Sequence, residues 1–580
     1  MSNRDTLKAR ATRIMNRVHA RASAMARPAT AFVSQPEPRT IGSFARGRQL
    51  TAGNFQFAGH LVEDDTAALW DLAMPDAAFE EELNGFIWLD DLAAVGDLPA
   101  RQRAQSWTWQ WIERYGGGHG PGWTPELTGR RLIRWINHAL FVLRGQERDA
   151  SEVFYRSLAQ QTIFLGRRWQ TTTPGLPRFE TLTGLIYAGL SLEGMERHVD
   201  PAIKALSREC DRQVDAQGGI PTRNPEELLE VFTLLTWAEA ALMDSGRQAR
   251  PEHMAAIERI APTLRTLRHA DGGLARFHGG GRGLEGRLDH ALAASGVKGR
   301  QPDGLSMGYA RLSAGRTSVI VDASPPPSGR ASYNAHASTL AFEMTSGRRP
   351  VIVNCGSGAS FGPEWRRAGR ATPSHSTLSL EGYSSARLGS SGQRSELLLD
   401  APKDVPIEMS QAPDGIRFQG GHDGYVKTHG LTHARTLELT FDGRGMVGED
   451  LLVALDDVGE RRFEKAMDDA RLQGIPFQVR FHLHPDVDAA VDMGGAAVSL
   501  ALKSGELWVF RTDATATVSL DPGVYLESGR LKPRASQQIV MSARAVESAT
   551  RLRWSLEKAQ DSAVGIRDLK QDAQPELADS

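Results

Sequence analysis

The sequence predicts a multidomain α+β chain, with an N-terminal α/α toroid (an incomplete helical barrel) followed by a C-terminal antiparallel β-sandwich. Three observations lead there. From about residue 45 to 304 the apolar residues recur at the helical period; near residue 305 the period falls to two and stays so to about residue 557; and 580 residues are too many for one ordinary core. The flanks, 1–44 and 558–580, read as a basic N-terminal arm and a polar, disordered tail.

In the helical part, Leu132, Trp135, Ile136, Ala139, Leu140 and Leu143 lie at helical spacings after Pro125, with Arg131, Arg134 and His138 on another face. A second helix carries Leu228, Val231, Phe232, Leu235, Ala238 and Leu242, and a third Ile257, Ile260, Leu264 and Leu267. Breaks rich in glycine or proline separate these segments at residues 116–122, 173–177, 218–225 and 279–283. Repeated helical hairpins with loops gathered at one end give the toroid.

Half of the 12 tryptophans, among them Trp107, Trp109, Trp111, Trp123 and Trp135, fall in the early helices. Indoles stack on sugars, and Arg130, Arg131 and Arg134 offer charges for acidic groups. Core packing is the preferred reading, since alternating tryptophans cannot share one helix face.

In the second part, short alternating runs such as 317–321, 436–439, 478–484, 498–502 and 551–555 are bounded mostly by Gly, Asp, Asn or Pro. Many strands without long intervening helices make an antiparallel sandwich. Residues 460–472 are the exception, a helical insertion.

Composition bounds the partners. A hydrophobic share of 40% and a charged share of 24% fit a globular chain, and a net charge of -2 leaves no basic field for nucleic acid. No run of about 18 apolar residues occurs, so no transmembrane segment is expected. The basic N-terminus lacks the apolar core of a secretory signal, which makes the cytoplasm the default address. Its sparse apolar edge (Leu7, Ile14, Met15, Val18) admits an amphipathic helix on an anionic membrane, but a frayed or crossing N-terminal arm is preferred. Cys210 and Cys355 fall in different predicted domains and form no disulfide framework.

The chemistry concentrates between Ser332 and Leu380. There S-Y-N-A-H-A-S-T-L-A-F-E is followed by an apolar run ending N-C-G-S-G and then by R-A-T-P-S-H-S-T-L. This pattern resembles the C-terminal module of the heparinase II/III-like family of polysaccharide lyases. The likeness extends to D-G-G-L-A-R-F-H-G (271–279), G-Y-A-R-L (308–312), G-G-I-P-T-R-N-P (218–225) and the stretch 123–138.

The resemblance implies β-elimination on an acidic, uronate-containing polysaccharide. A base takes the C5 proton, donors neutralise the uronate carboxylate, and an acid protonates the leaving oxygen. Carried over residue by residue, Tyr309 or Tyr333 is the base or acid, and Arg223 and Asn224 neutralise the carboxylate. His278, Asn334 and Arg370 complete the site, which is expected in a groove between the domains. His336 and His375 match positions that hold a structural zinc in metal-bearing members, with Asn354 where the third ligand is an aspartate; a neutral amide is the poorer zinc ligand. Ile220 stands where related sequences carry histidine.

Zinc is therefore the one cofactor raised, an acidic polysaccharide the partner, a homodimer an open option, and the periplasm or cell envelope the family's address. Two alternatives stand beside the lyase. One is a catalytically weakened polysaccharide-binding protein of envelope or capsule metabolism. The other is a glycoside hydrolase, for which the candidate loops offer Glu180, Glu226, Glu227, Asp271 and Asp289.

Overall fold

Polar caps and prolines start the helices of the first half. Asp97, Thr124 and Asn224 each precede a helix and accept a backbone N–H of its first turn, at 2.9, 3.3 and 3.0 Å, and Pro99, Pro125 and Pro225 fill the first helical positions. In this computed structural model, residues 7–26, 31–34, 38–64, 68–299, 304–390, 395–513 and 515–559 are described. The expected tail thus lies outside the described residues except for 558 and 559, and Lys558 is still part of the strand Ala549–Lys558.

Helices Pro125–Asn137, Leu176–Ser191 and Pro225–Asp244 follow one another along an inner arc, backed by Arg148–Arg168, Val199–Gln213 and Pro251–Thr266. Burial follows sequence: Leu176–Ser191 and Pro225–Asp244 are buried on nearly every side, whereas Val199–Gln213 keeps a charged outer face. Two inner helices touch at glycines. A Cβ on Gly184 would lie 2.6 Å from the Gly129 carbonyl oxygen, so only glycine lets these backbones meet.

The helix expected to run on past Pro125 instead breaks at His138, and the short helix Ala139–Leu143 continues in a new direction. Leu140, expected on the apolar face, is 68% exposed as a result. The tryptophans do pack inward: Trp107, Trp111, Trp123 and Trp135 are buried, and Trp111 and Trp135 meet edge to face at 5.5 Å. Arg131 is not the surface charge expected. It is fully buried over the Trp111 ring at 4.0 Å and donates to Gln161 and to the carbonyls of Asn84 and Gly122. A small hairpin, Asn54–Phe57 with His60–Glu63, interrupts the helical half and was not foreseen.

The helical run ends at Ser295, and the first strand of the second half opens at Tyr309. Two large antiparallel sheets follow. One orders Thr517–Tyr525, Arg534–Ala545, Ile475–Leu483, Arg349–Val353, Phe342–Ser346, Thr317–Asp322 and Tyr309–Ala314 side by side. The other runs from Ile407–Gln411 through Gly415–Tyr425, Leu431–Thr440, Gly445–Val453, Ala549–Lys558, Leu507–Thr512 and Ala497–Leu502 to Val487–Asp492.

Strand alternation sorts the first sheet's side chains. Leu312, Val319, Val321 and Phe342 enter the core between the sheets, while Tyr309 and Ile320, together with Ala341, join the helical core. The sheet is thereby packed on both faces, and the domains meet through a filled interface. The helical insertion spans Asp457–Asp469, three residues earlier than expected, because Asp456 caps it by accepting the Gly459 N–H at 2.6 Å. Among the described residues no helix is long and apolar enough to cross a membrane.

Candidate functional site

Two buried carboxylates on the first sheet receive the loops of the helical half. Asp322 closes the strand Thr317–Asp322 and is fully buried. It accepts Arg223 at 2.5 Å and Ser338 at 2.7 Å, and His278 Nε2 stands 3.4 Å away. Glu343 accepts the Arg276 backbone N–H at 3.0 Å, with the Arg276 guanidinium and His269 each at 3.5 Å. Arg223, His269, Arg276 and His278 all come from helical-domain loops, so each carboxylate ties one half of the chain to the other.

The backbone that presents these groups is unusual. Arg223 (φ 49°), His278 (φ 48°), Met307 (φ 51°) and Leu340 (φ 64°) are left-handed non-glycine residues gathered around Asp322. Such conformations persist where the surroundings over-determine them. Arg223 shows how: its five N–H donors go to Asp322 and to the carbonyls of Met307, Gly308, Ser324 and Pro325. A Cβ on Gly308 (φ 79°) would fall 2.6 Å from Arg223 Nε, so glycine is what admits the guanidinium.

The Tyr309 hydroxyl donates to the Arg223 carbonyl at 2.5 Å, and the Arg223 guanidinium lies 4.8 Å from the Tyr309 ring centroid. Burial pushes the phenol well above its usual range. For Asp322 burial works toward protonation, but Arg223 and His278 beside it prevail and hold the carboxyl well below the usual range.

The histidines form a short chain whose tautomers the backbone fixes. His375 Nδ1 donates to the Ala371 carbonyl (2.9 Å), so its Nε2 accepts from His336 Nδ1 (2.9 Å). This leaves a lone pair on His336 Nε2, which is buried without a hydrogen-bond partner. His278 Nδ1 accepts the His336 backbone N–H at 3.1 Å, which directs the His278 Nε2 proton toward Asp322. Burial keeps all three rings neutral, His375 down to about 4.

The zinc reading meets an obstacle here. His336 and His375 turn nitrogens toward each other, and the Asn354 amide oxygen accepts the Ser376 N–H at 3.0 Å while its nitrogen faces Glu343. Among the described residues no group of three His, Cys, Asp or Glu is placed to hold a metal. The three residues as arranged do not fit a zinc ion.

Of the other sequence candidates, Asn224 is a helix cap whose Oδ1 accepts the N–H groups of Glu226 and Glu227. Arg370 is 1% exposed and donates to the carbonyls of Ser332, Ala335 and Glu396 and to the Glu396 carboxylate. Asn334 and Tyr333 are exposed; Arg366 donates to the Asn334 side chain at 3.0 Å and stacks 4.5 Å from the Tyr333 ring. Ile220 is 6% exposed within the helical core.

The structure therefore brings Arg223, Asn224, His278, Tyr309, His336 and His375 together at the domain boundary, and it buries them. Sequence reasoning missed Asp322, Ser338, Arg276 and Glu343. Arg276 and Glu343 were within quoted motifs, R-F-H and F-E, and a search for charges of opposite sign at the two domain edges would have paired them. A further buried group, His422, His433, Asp450 and Arg435, lies in the second sheet. There His433 Nε2 donates to Asp450 at 2.8 Å, as does Arg435 Nε.

The acids proposed for hydrolysis are mostly engaged. Glu180 pairs with Arg130 at 2.6 Å, Glu226 accepts the Gly281 N–H at 2.7 Å, Asp289 pairs with Arg268 at 2.7 Å, and Asp271 meets Arg282 at 3.4 Å. Burial raises Glu227 to about 7.

Residues 297–555 match the family described as heparinase II/III-like, C-terminal. The chain is 31% identical over 557 residues to FtsZ-localized protein C of Caulobacter vibrioides, covering 93% of this chain and 92% of that one. Among solved structures it resembles heparinase III (TM-score 0.67, 14% identity, 94% of this chain and 89% of that one). It also resembles a mutant of a heparan sulfate lyase from Pedobacter heparinus (TM-score 0.56, 15% identity, 96% and 89%). At such identity these two structures speak for the shared fold alone.

Proposed function

The chain belongs to the heparinase II/III-like family, and we propose that it uses the lyase fold for binding, with elimination at the domain boundary weakened or lost. One observation carries this reading: the group assigned to neutralise the uronate, Arg223, has all five donors committed inside the protein. A carboxylate bound there finds no free guanidinium, and without that counter-charge the C5 proton stays too weakly acidic to remove. The Tyr309 hydroxyl is likewise committed, to a carbonyl, and is 1% exposed, which puts it out of reach of a polymer. The partner class that remains is a saccharide met at exposed groups such as Tyr333 and Asn334 on the rim of the buried cluster.

The relative named for its localisation with FtsZ suggests a setting, and we carry that association over to this chain. Co-pelleting of the purified protein with polymerised FtsZ from the same organism tests the setting. A panel of uronate polysaccharides, followed by the ultraviolet absorbance of an unsaturated uronate product, tests the chemistry. Binding to FtsZ polymer without that absorbance is expected; a product that accumulates with time sinks the binding reading.

One observation favours the lyase as a second reading: His336 Nε2 carries an unpartnered lone pair within the cluster. A base of this kind serves elimination if the domain boundary opens around a substrate. Product formation lost in His336→Gln but kept in Tyr309→Phe would select it.

A further inference from the structure

The end of the helical half that lies away from the sandwich carries a pocket of its own. Asn224 caps one inner helix at the domain boundary, whereas the far ends of the inner helices, at Asn137, Ser191 and Asp244, are tied together by Val33 and Arg39. Val33 donates its backbone N–H to the Ser191 carbonyl at 2.8 Å, the Arg39 N–H goes to Asn137 Oδ1 at 3.1 Å, and the Arg39 guanidinium pairs with Asp244 at 3.2 Å. Beside these ties, Thr40 and Ile41, the helix Ile87–Val95 and the broken end of Pro125–Asn137 enclose about 840 Å³, a volume typical of ligand pockets. The floor is polar and buried. His138 Nε2 stands 2.9 Å from Asp90 and 2.8 Å from the Thr40 hydroxyl, and both His138 and Asp90 are 7% exposed. A carboxylate only accepts, so Nε2 carries the proton, and Nδ1 has no partner among the described residues. The walls are apolar, built from Ile41, Ala93, Leu140, Phe141 and Leu143. At the rim Arg144 is exposed, and its guanidinium has no partner among the described residues.

We propose that this pocket binds a small amphipathic carboxylic acid, with its alkyl or aryl body against Phe141 and the aliphatic walls and its carboxylate on Arg144. Three features select that class. The helix break at His138 sets the turn Leu140–Leu143 along the pocket and leaves Leu140 68% exposed, so an apolar wall stands open to water, and an apolar body covers it. Charge decides the sign of the ligand. Asp90, the one acid lining the pocket among the described residues, is already matched by His138 and by Arg134 at 3.1 Å, which leaves no call for a cation, while Arg144 offers an unmatched positive charge at the mouth. Shape decides its size. A buried floor beneath an exposed rim is a recess, which suits a small molecule better than the broad face that a protein partner needs. The pocket lies a helix length, about 20 Å, from the Arg223 cluster, so it does not rest on the saccharide reading.

The test is calorimetric titration of the full chain with octanoate and with hydrocinnamate, octylamine and octanol serving as cationic and neutral counterparts. A stoichiometric complex with at least one of the two carboxylates, with a dissociation constant of about 1 mM or tighter, is expected. Octylamine and octanol should bind at least about ten-fold more weakly, and Arg144→Gln should weaken the carboxylate by about the same factor. Leu140→Asp, which removes apolar wall and adds a like charge, should abolish binding. Leu140 and Arg144 are exposed, so circular dichroism and the melting temperature of the free protein should stay as in the parent. Absence of binding by both carboxylates overturns the proposal, as does equal binding of octylamine or unchanged binding in Arg144→Gln or Leu140→Asp. A concentration-dependent dimer that Leu140→Asp dissolves also overturns it, since a second copy would then fill the pocket.

Discussion

Replacing Asp322 by asparagine measures how much the interdomain ion pair holds. The carboxylate is fully buried, takes Arg223 at 2.5 Å and Ser338 at 2.7 Å, and faces His278 at 3.4 Å. An amide keeps the shape and the Ser338 contact but withdraws the charge, leaving a buried guanidinium with no anion. Breaking one side of such a pair costs about 3–5 kcal/mol. Arg223 keeps four carbonyl acceptors, which places Asp322→Asn at the lower end, about 3 kcal/mol.

Arg223→Met is harsher, about 5 kcal/mol, because it orphans a carboxylate and four carbonyls together. In the double variant the lone carboxylate is gone as well, so the loss should fall short of the sum by about 2 kcal/mol. Urea unfolding followed by tryptophan fluorescence reports on the helical half, where Trp107, Trp111, Trp123 and Trp135 are buried, and gives all three values. A loss under about 1 kcal/mol for Asp322→Asn, or additivity within about 0.5 kcal/mol, would refute the hub role of this residue.

Two further outcomes are expected. Burial depresses His253 and His375 to about 4 and His482 to about 3 from an ordinary 6.5. Between pH 6.5 and about 4 the unfolded chain therefore binds protons that the native one refuses, and stability falls as pH falls. Three such groups give about 4 kcal/mol per pH unit; Glu227, raised to about 7 by burial, binds its proton first in the native state and offsets about 1.4 of this down to about pH 4.5, so the slope is about 3 kcal/mol per pH unit and vanishes above about pH 7. The lowered Asp322 and Asp450 act in the same sense only below their unfolded value near 3.8. A melting temperature that is flat from pH 7 to 4.5 contradicts this. Because His336 Nδ1 and His375 Nε2 bond to each other, His375 Nδ1 donates to the Ala371 carbonyl and the Asn354 amide oxygen accepts the Ser376 N–H, dialysis against a chelator should leave the melting temperature unchanged within about 1 °C; a larger drop, reversed by zinc, would restore the metal reading.

The architecture was legible because it rests on periodicity. The change of period near residue 305 reflects strands whose alternate residues serve two different cores, and Thr317–Asp322 starts where the pattern starts. The hairpin Asn54–Phe57/His60–Glu63 was illegible because four-residue strands carry too little alternation. The break at His138 was hidden because Leu140 and Leu143 keep helical spacing across it; tertiary contact decides, with His138 Nε2 held at 2.9 Å from Asp90.

For the site, grouping was legible and role was not. Motifs gathered Arg223, His278, Tyr309, His336 and His375, but whether a tyrosine hydroxyl meets substrate or a carbonyl depends on loop conformations such as the left-handed Arg223. The His422–His433 pair sits directly across two neighbouring strands, a register that one sequence does not reveal.

The central claim is that the fold binds without eliminating. Its most direct test is the initial rate of unsaturated-uronate formation by the parent protein and by Tyr309→Phe on a panel of uronate polysaccharides. The account predicts no ultraviolet product above the enzyme-free blank for either protein. A steady product from the parent that falls roughly 100-fold in Tyr309→Phe, the scale of a lost acid or base, would contradict it and place Tyr309 in an active lyase site.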